Sequence, residues 1–145
     1  MSEYIEEELR DSFCAYRKRL QQDIVACKEV PVFARSVDLV EYNEKSQKIT
    51  AIEFKINDWK RALNQLKNVE ICFDYLVLCI PKPKTPKCTI NIIGVCNSLG
   101  IGLYFWEKES DSFFHECIEK KSNEIWDIQK KHIIDYVARV EVNNE

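Results

Sequence analysis

Residues 36–66 read SVDLVEYNEKSQKITAIEFKINDWKRALNQL. Two apolar runs, one ending near Tyr42 and one running from Lys48 to Ile56, flank a polar segment that reads as a hairpin turn. Side chains alternate faces along a strand. Glu53 and Lys55 therefore share one face of the second run, while Ile52, Phe54 and Ile56 share the other. Asp38 lies in the preceding strand, giving the pattern D-x14-E-x-K on two neighbouring strands. Directly after it, Trp59, Ala62, Leu63 and Leu66 recur at helical spacing, with Asn57 or Asp58 as the cap.

The flanks extend this unit into one domain. Residues 3–22 read as a helix through Ile5, Leu9, Phe13, Tyr16 and Leu20, with Ser2 as N-cap and glutamates toward the positive end of the dipole. Residues 30–42 read as a single strand, with Pro31 near its start. Residues 71–80, ICFDYLVLCI, are the nearly continuous apolar run of a strand covered on both faces. Pro81, Pro83 and Pro86 then break the chain. A crossover helix over 89–99, stopped by Gly100, leads to a buried strand over 101–106 and an edge strand over 112–118. The spacing predicts a last helix over 124–140, with Ile125, Ile128, His132, Ile133 and Val137 on its inner stripe. The order read from periodicity is α-β-β-α-β-α-β, an α/β domain with a mixed central sheet flanked by helices.

Composition narrows the function. With 46 % hydrophobic residues in 145, residues 1–145 suffice for one domain with a real core. Three glycines leave no phosphate-binding loop or dinucleotide fingerprint. The net charge of −3 is not that of a protein that coats nucleic acid, although local basic patches exist. No apolar run is long enough to cross a membrane, and the acidic start MSEYIEEELRD resembles no signal or transit peptide, so a cytoplasmic location and no membrane partner are expected. The seven cysteines form no C-x-x-C pair and match no zinc or iron–sulfur spacing; most read as small hydrophobes. His115 and His132 are isolated, and no Ser/His or Cys/His set suggests nucleophilic catalysis.

If Asp38 and Glu53 face one another, two ionised carboxylates about 4.5 Å apart repel by roughly 4 kcal/mol at an effective dielectric near 20. A proton or a divalent cation relieves this, and oxygen ligands select Mg²⁺, Mn²⁺ or Ca²⁺. Lys55 beside such a centre suits phosphodiester hydrolysis. A solvated strand face is the competing account of Glu53 and Lys55, and their apolar flanks weigh against it.

These residues resemble the PD-(D/E)xK nuclease superfamily. The D…E-x-K pattern, the glutamate-bearing first helix and the following amphipathic helix are all similar, most of all to small uncharacterised members with a run of the form DLV…IEFK…DWxxAxxQ. The resemblance covers the chain from the first helix to about Trp106 and is strongest from Val37 to Pro81. It implies a restriction-endonuclease-like three-layer core of α-β-β-β-α-β order. It also implies metal ligation of Mg²⁺ or Mn²⁺ by Asp38, Glu53 and the Phe54 carbonyl, with Lys55 as the catalytic lysine. Glu8 would be the first-helix glutamate, with Glu3 and Glu6 as competitors, and Gln65 matches a glutamine near the site in some members. Val37 stands where the family name has proline. Lys60 and Arg61 at the helix start, and Lys82, Lys84 and Lys87 in the PKPKTPK loop, are the candidate nucleic-acid contacts; Trp59 is expected in the core. The expected activity is metal-dependent cleavage of DNA, with RNA second. The alternatives are a catalytically silent nucleic-acid- or protein-binding module, or a subunit of a larger nuclease assembly. Target selection would come from loops, a homodimer or a partner chain.

Overall fold

The computed structural model describes the backbone of residues 2–21 and 23–143 and the side chains of residues 5–21 and 23–141. The side chains of Ser2 and Glu3 lie outside the described residues. Among the described residues the order is α1 (Ser2–Leu20), β1 (Ile24–Val32), β2 (Arg35–Asn43), β3 (Lys48–Phe54), α2 (Trp59–Asn68), a short 3-10 turn (Glu70–Cys72), β4 (Tyr75–Pro81), α3 (Pro86–Leu99), β5 (Gly102–Glu107), β6 (Ser112–Cys117) and α4 (Asp127–Asn143). The strands form one mixed sheet in sequence order. The first three make an antiparallel meander, β3, β4 and β5 run parallel, and β6 closes the far edge antiparallel. Parallel neighbours cannot be joined by a tight turn, so α2 and α3 serve as crossovers.

Apolar alternation sends alternate residues to two cores. On one face Leu9 and Phe13 of α1 pack on Leu39, Ile52, Phe54, Val77 and Tyr104. On the other, Val40, Ala51, Leu78 and Phe105 meet Leu63 and Leu66 of α2, Ile92 and Cys96 of α3, and Ile133 and Val137 of α4. Local signals act as expected at several ends. Asn43 closes the β2–β3 turn by accepting the Lys45 and Ser46 N–H groups, each at 3.0 Å. Gly100 ends α3 in a left-handed conformation, φ 73°.

Three sequence expectations change. Residues 30–42 are not one strand: β1 and β2 form a hairpin through Phe33 and Ala34. Residues 71–74 are not part of β4, because the 3-10 turn and Asp74 precede it. The inner stripe of α4 is Ile133 and Val137 with Ile134, Tyr136 and Val140 beside them, whereas Ile128 and His132 are exposed; the helix starts at Asp127, which shifts the phase of the buried face. The start of α2 also differs in detail. Asp58 occupies the cap position with φ 54° and makes no side-chain cap bond.

Asp74 shows how the lower end of the sheet is held. It is fully buried. Its Oδ2 accepts the Ile49 N–H at 2.9 Å and the Lys130 ammonium at 2.9 Å, and Lys130 also lies 3.2 Å from Oδ1. Lys48 stands 4.0 Å away. One carboxylate thus ties the first residues of β3 to α4. Truncating it strands a half-enclosed ammonium and a buried N–H. Asp74→Ala is expected to lower stability by about 3 kcal/mol in urea denaturation, against less than about 1 kcal/mol for Lys48→Ala.

Candidate active site

Asp38 occupies a place where both flanking ladders lapse. The β2–β3 register ends at Leu39↔Ile52. On the other side, β1 pairs Lys28↔Leu39 and Val30↔Val37 and skips the step between them, where Glu29 takes φ 54°. The local turn breaks face alternation: Val37 and Val40 enter the same core, and Leu39 enters the opposite one. Freed from the ladder, the Asp38 carboxylate accepts the Phe54 N–H at 2.9 Å, standing in for a backbone carbonyl. This holds it beside the last residues of β3.

Glu53 is 5 % exposed and meets Asp38 there. Burial, a carboxyl–carboxyl hydrogen bond with Asp38 and the nearby Asp38 charge push Glu53 up to about 9, while the Asp38 N–H and Lys55 pull the other way. Near neutral pH Glu53 thus holds its proton. Lys55 follows β3 at once, its N–H donating to the Cys79 carbonyl at 3.3 Å. Asp38, Glu53 and Lys55 are therefore gathered at the C-terminal end of a parallel strand, a common place for chemistry in open α/β sheets.

Two small cavities flank the carboxyl pair. One of about 230 Å³ is lined by Glu53, Gln65, Val69, Arg35, Ser36 and Val37. The Gln65 Oε1 is buried and, among the described residues, receives no hydrogen bond. The other, about 200 Å³, is lined by Asp38, Phe54, Glu6, Glu7, Arg10 and Glu29. Glu29 is fixed by Arg10 and by Ser36 Oγ, each at 3.1 Å.

The expected site residues divide accordingly. Gln65 and Phe54 line these cavities, as do Asp38 and Glu53. Glu8 does not: it pairs with Lys108 at 3.5 Å. Two residues along a helix turn the side chain by about 200°, so Glu6 faces the Asp38 cavity and accepts the Ile56 N–H at 3.3 Å. Lys60 and Arg61 are exposed at the start of α2, with Lys60 Nζ 5.7 Å from the centre of the half-buried Trp59 ring. Lys82 and Lys84 are exposed in the loop leaving β4, beside the end of β3, and Lys87 is exposed in the first turn of α3. Lys82 lies 3.8 Å from Glu107; among the described residues Lys60, Arg61, Lys84 and Lys87 pair with no carboxylate within 4 Å. Arg35 and Ser36 are site neighbours that the sequence did not reveal, because their hairpin was read as continuous strand. Among the described residues no group of three or more His, Cys, Asp or Glu side chains converges as a metal site. His115 sits elsewhere. It stacks on Tyr104 at 4.1 Å in a cavity of about 600 Å³ with Arg17 and Glu41, at the opposite end of the sheet.

No family model matches this chain, and no curated protein matches it. Among solved structures, a protein of unknown function from Silicibacter pomeroyi is similar, with a TM-score of 0.67 and 15 % identity over 92 % of this chain and 84 % of that one. At that identity the likeness speaks to the fold alone. No helix among the described residues is long and apolar enough to cross a membrane.

A pKa raised above the unfolded value means that the folded state holds the extra proton. The stabilisation is complete below about pH 4.5 and is lost as pH rises to about 9. Wild-type stability should fall across this window, and Glu53→Gln should flatten the slope by up to about 1 kcal/mol per pH unit. Urea midpoints at a series of pH values test this; identical slopes would show that Glu53 ionises normally.

Proposed function

We propose that this chain is a metal-dependent nuclease of the PD-(D/E)xK kind, hydrolysing phosphodiester bonds of DNA in preference to RNA. The observation that carries this is the buried Glu53 carboxyl set against the half-buried Asp38 carboxylate, with Lys55 beside them. The run α1-β1-β2-β3-α2-β4 supports a restriction-endonuclease-like core, since it has the α-β-β-β-α-β order that the resemblance implies.

Asp38, Glu53 and the Phe54 carbonyl would hold Mg²⁺ or Mn²⁺. The donor set fits: two carboxylates that a proton now reconciles suit a hard divalent ion, and magnesium commonly takes one or two carboxylates and keeps several waters. The unpaired Gln65 Oε1 adds an acceptor on the cavity wall. Such an ion, when bound, polarises a phosphoryl oxygen and makes water a stronger nucleophile. The Lys55 ammonium orients that water and stabilises charge developing on the phosphate. Glu6, held by the Ile56 N–H, takes the first-helix role expected of Glu8. Lys84, Lys87, Lys60 and Arg61 supply unpaired cations for the backbone phosphates, at the same end of the sheet as Lys55.

Incubation of the protein with single- and double-stranded DNA in Mg²⁺ or Mn²⁺ should give cleavage that EDTA abolishes. Lys55→Ala should slow it by about 100-fold or more. Equal rates for wild type and Lys55→Ala would refute the assignment, and nucleic-acid binding without cation or cleavage would favour a silent module. Calorimetry should show Mn²⁺ binding to wild type and none to Asp38→Asn. Because the Glu53 proton must leave, apparent affinity should rise with pH toward about 9, with proton release detectable as a buffer-dependent heat.

A further inference from the structure

The tip of the β1–β2 hairpin carries an aromatic residue that folding alone does not require. Phe33 is 51 % exposed and takes φ 56°. Glycine or asparagine ordinarily occupies that backbone region, and a bulky side chain there is strained. Its ring lies 6.5 Å from that of Trp126 at an interplanar angle of 31°, and Trp126 is 48 % exposed. Trp126 is anchored from behind, its N–H donating to the Ile71 carbonyl at 2.6 Å. Ile71 follows closely on Val69, which lines the Glu53–Gln65 cavity. Arg35, two residues beyond Phe33, lines that same cavity, and among the described residues it has no carboxylate within 4 Å. The groove on the other side of Phe33 offers Arg139, His132 and Gln129 against the single carboxylate of Asp135.

We infer that the β1–β2 tip and Trp126 form a grip for an unpaired nucleic-acid strand, with bases stacking on Phe33 and Trp126 and Arg35 taking a backbone phosphate beside the Glu53 cavity. Unpaired bases present free π-faces, whereas a duplex hides them within its own stack. A pair of half-exposed rings next to an unpaired guanidinium matches the former. This rests on the nuclease function proposed above and narrows its substrate to single-stranded or frayed DNA.

Fluorescence anisotropy with labelled oligo(dT) and with a blunt duplex of equal length, both in EDTA, tests the grip on the full chain. The single strand should bind at least about tenfold more tightly than the duplex and quench the fluorescence that Trp126→Leu removes. Phe33→Gly should weaken single-strand binding about tenfold while melting at the same or a higher temperature, since glycine relaxes the left-handed backbone. Phe33→Trp should restore binding. Equal affinity for duplex, or unchanged binding by Phe33→Gly, would overturn the grip. So would self-association in sedimentation that Phe33→Gly abolishes, because the rings would then be a protein contact. Cleavage that depends on Lys55 without any Phe33 effect would refute the grip alone. Phe33-dependent binding without cleavage would refute the nuclease assignment alone.

Discussion

The hydrogen bond from the Phe54 N–H to the Asp38 carboxylate is the constraint on which the site depends. A backbone ladder would have satisfied that N–H with a carbonyl and left Asp38 free to point into solvent. Here the β2–β3 ladder stops at Ile52, two residues before Phe54, Glu29 bends the neighbouring strand away, and a side chain completes the pairing. The bond holds a charged group in place against its tendency to remain hydrated. It also places that charge against Glu53, which is too buried to ionise easily beside it. The electrostatic tension of the site is therefore a product of strand pairing, not of the carboxylates alone.

The two ends of the sheet treat their polar groups differently. At the lower end, Asp74 is matched by a backbone N–H and an ammonium. Near it, Glu41 is buried and engaged by Arg17 through Nε and Nη2, each at 3.1 Å. Burial raises the Glu41 pKa and Arg17 opposes that rise. These charges hold elements together. At the upper end, among the described residues, Gln65 Oε1 and Arg10 Nε are buried without a hydrogen bond, Arg10 Nε having only the Asp11 carboxylate at 3.7 Å, and Glu53 keeps a proton beside Asp38. Unsatisfied groups cost stability, and their concentration around one carboxyl pair is the pattern of a region shaped for binding.

Much of this was legible in residues 36–66. Strand periodicity placed Glu53 opposite Ile52 and Phe54, and the structure sends the latter two into the α1 core while Glu53 faces Gln65. What failed to show was the first hairpin. Residues 30–32, the end of β1, read as the start of the following strand, with Pro31 in it, as an edge strand tolerates. Its turn contains no glycine or asparagine, because Phe33 itself adopts the left-handed conformation. Losing that turn hid Arg35 and Ser36 from the site. The choice among first-helix glutamates needed the rotational phase of α1 against the sheet, which is set by where Leu9 and Phe13 pack. His132 was misassigned for the same kind of reason, a phase error at the start of α4.

The free thiols divide by depth in a way that is of practical use. Cys27, Cys72, Cys79, Cys96 and Cys117 are buried, and burial pushes Cys96 up to about 12. Thiolate is the reactive form, so such sulfurs resist alkylation while the protein stays folded. Cys14 is half-buried, and burial raises it as well. Cys88 is also partly exposed, and it sits in the first turn of α3 immediately after the proline-lysine loop. A maleimide dye directed to Cys88 would thus become a spectroscopic reporter mounted next to Lys84 and Lys87.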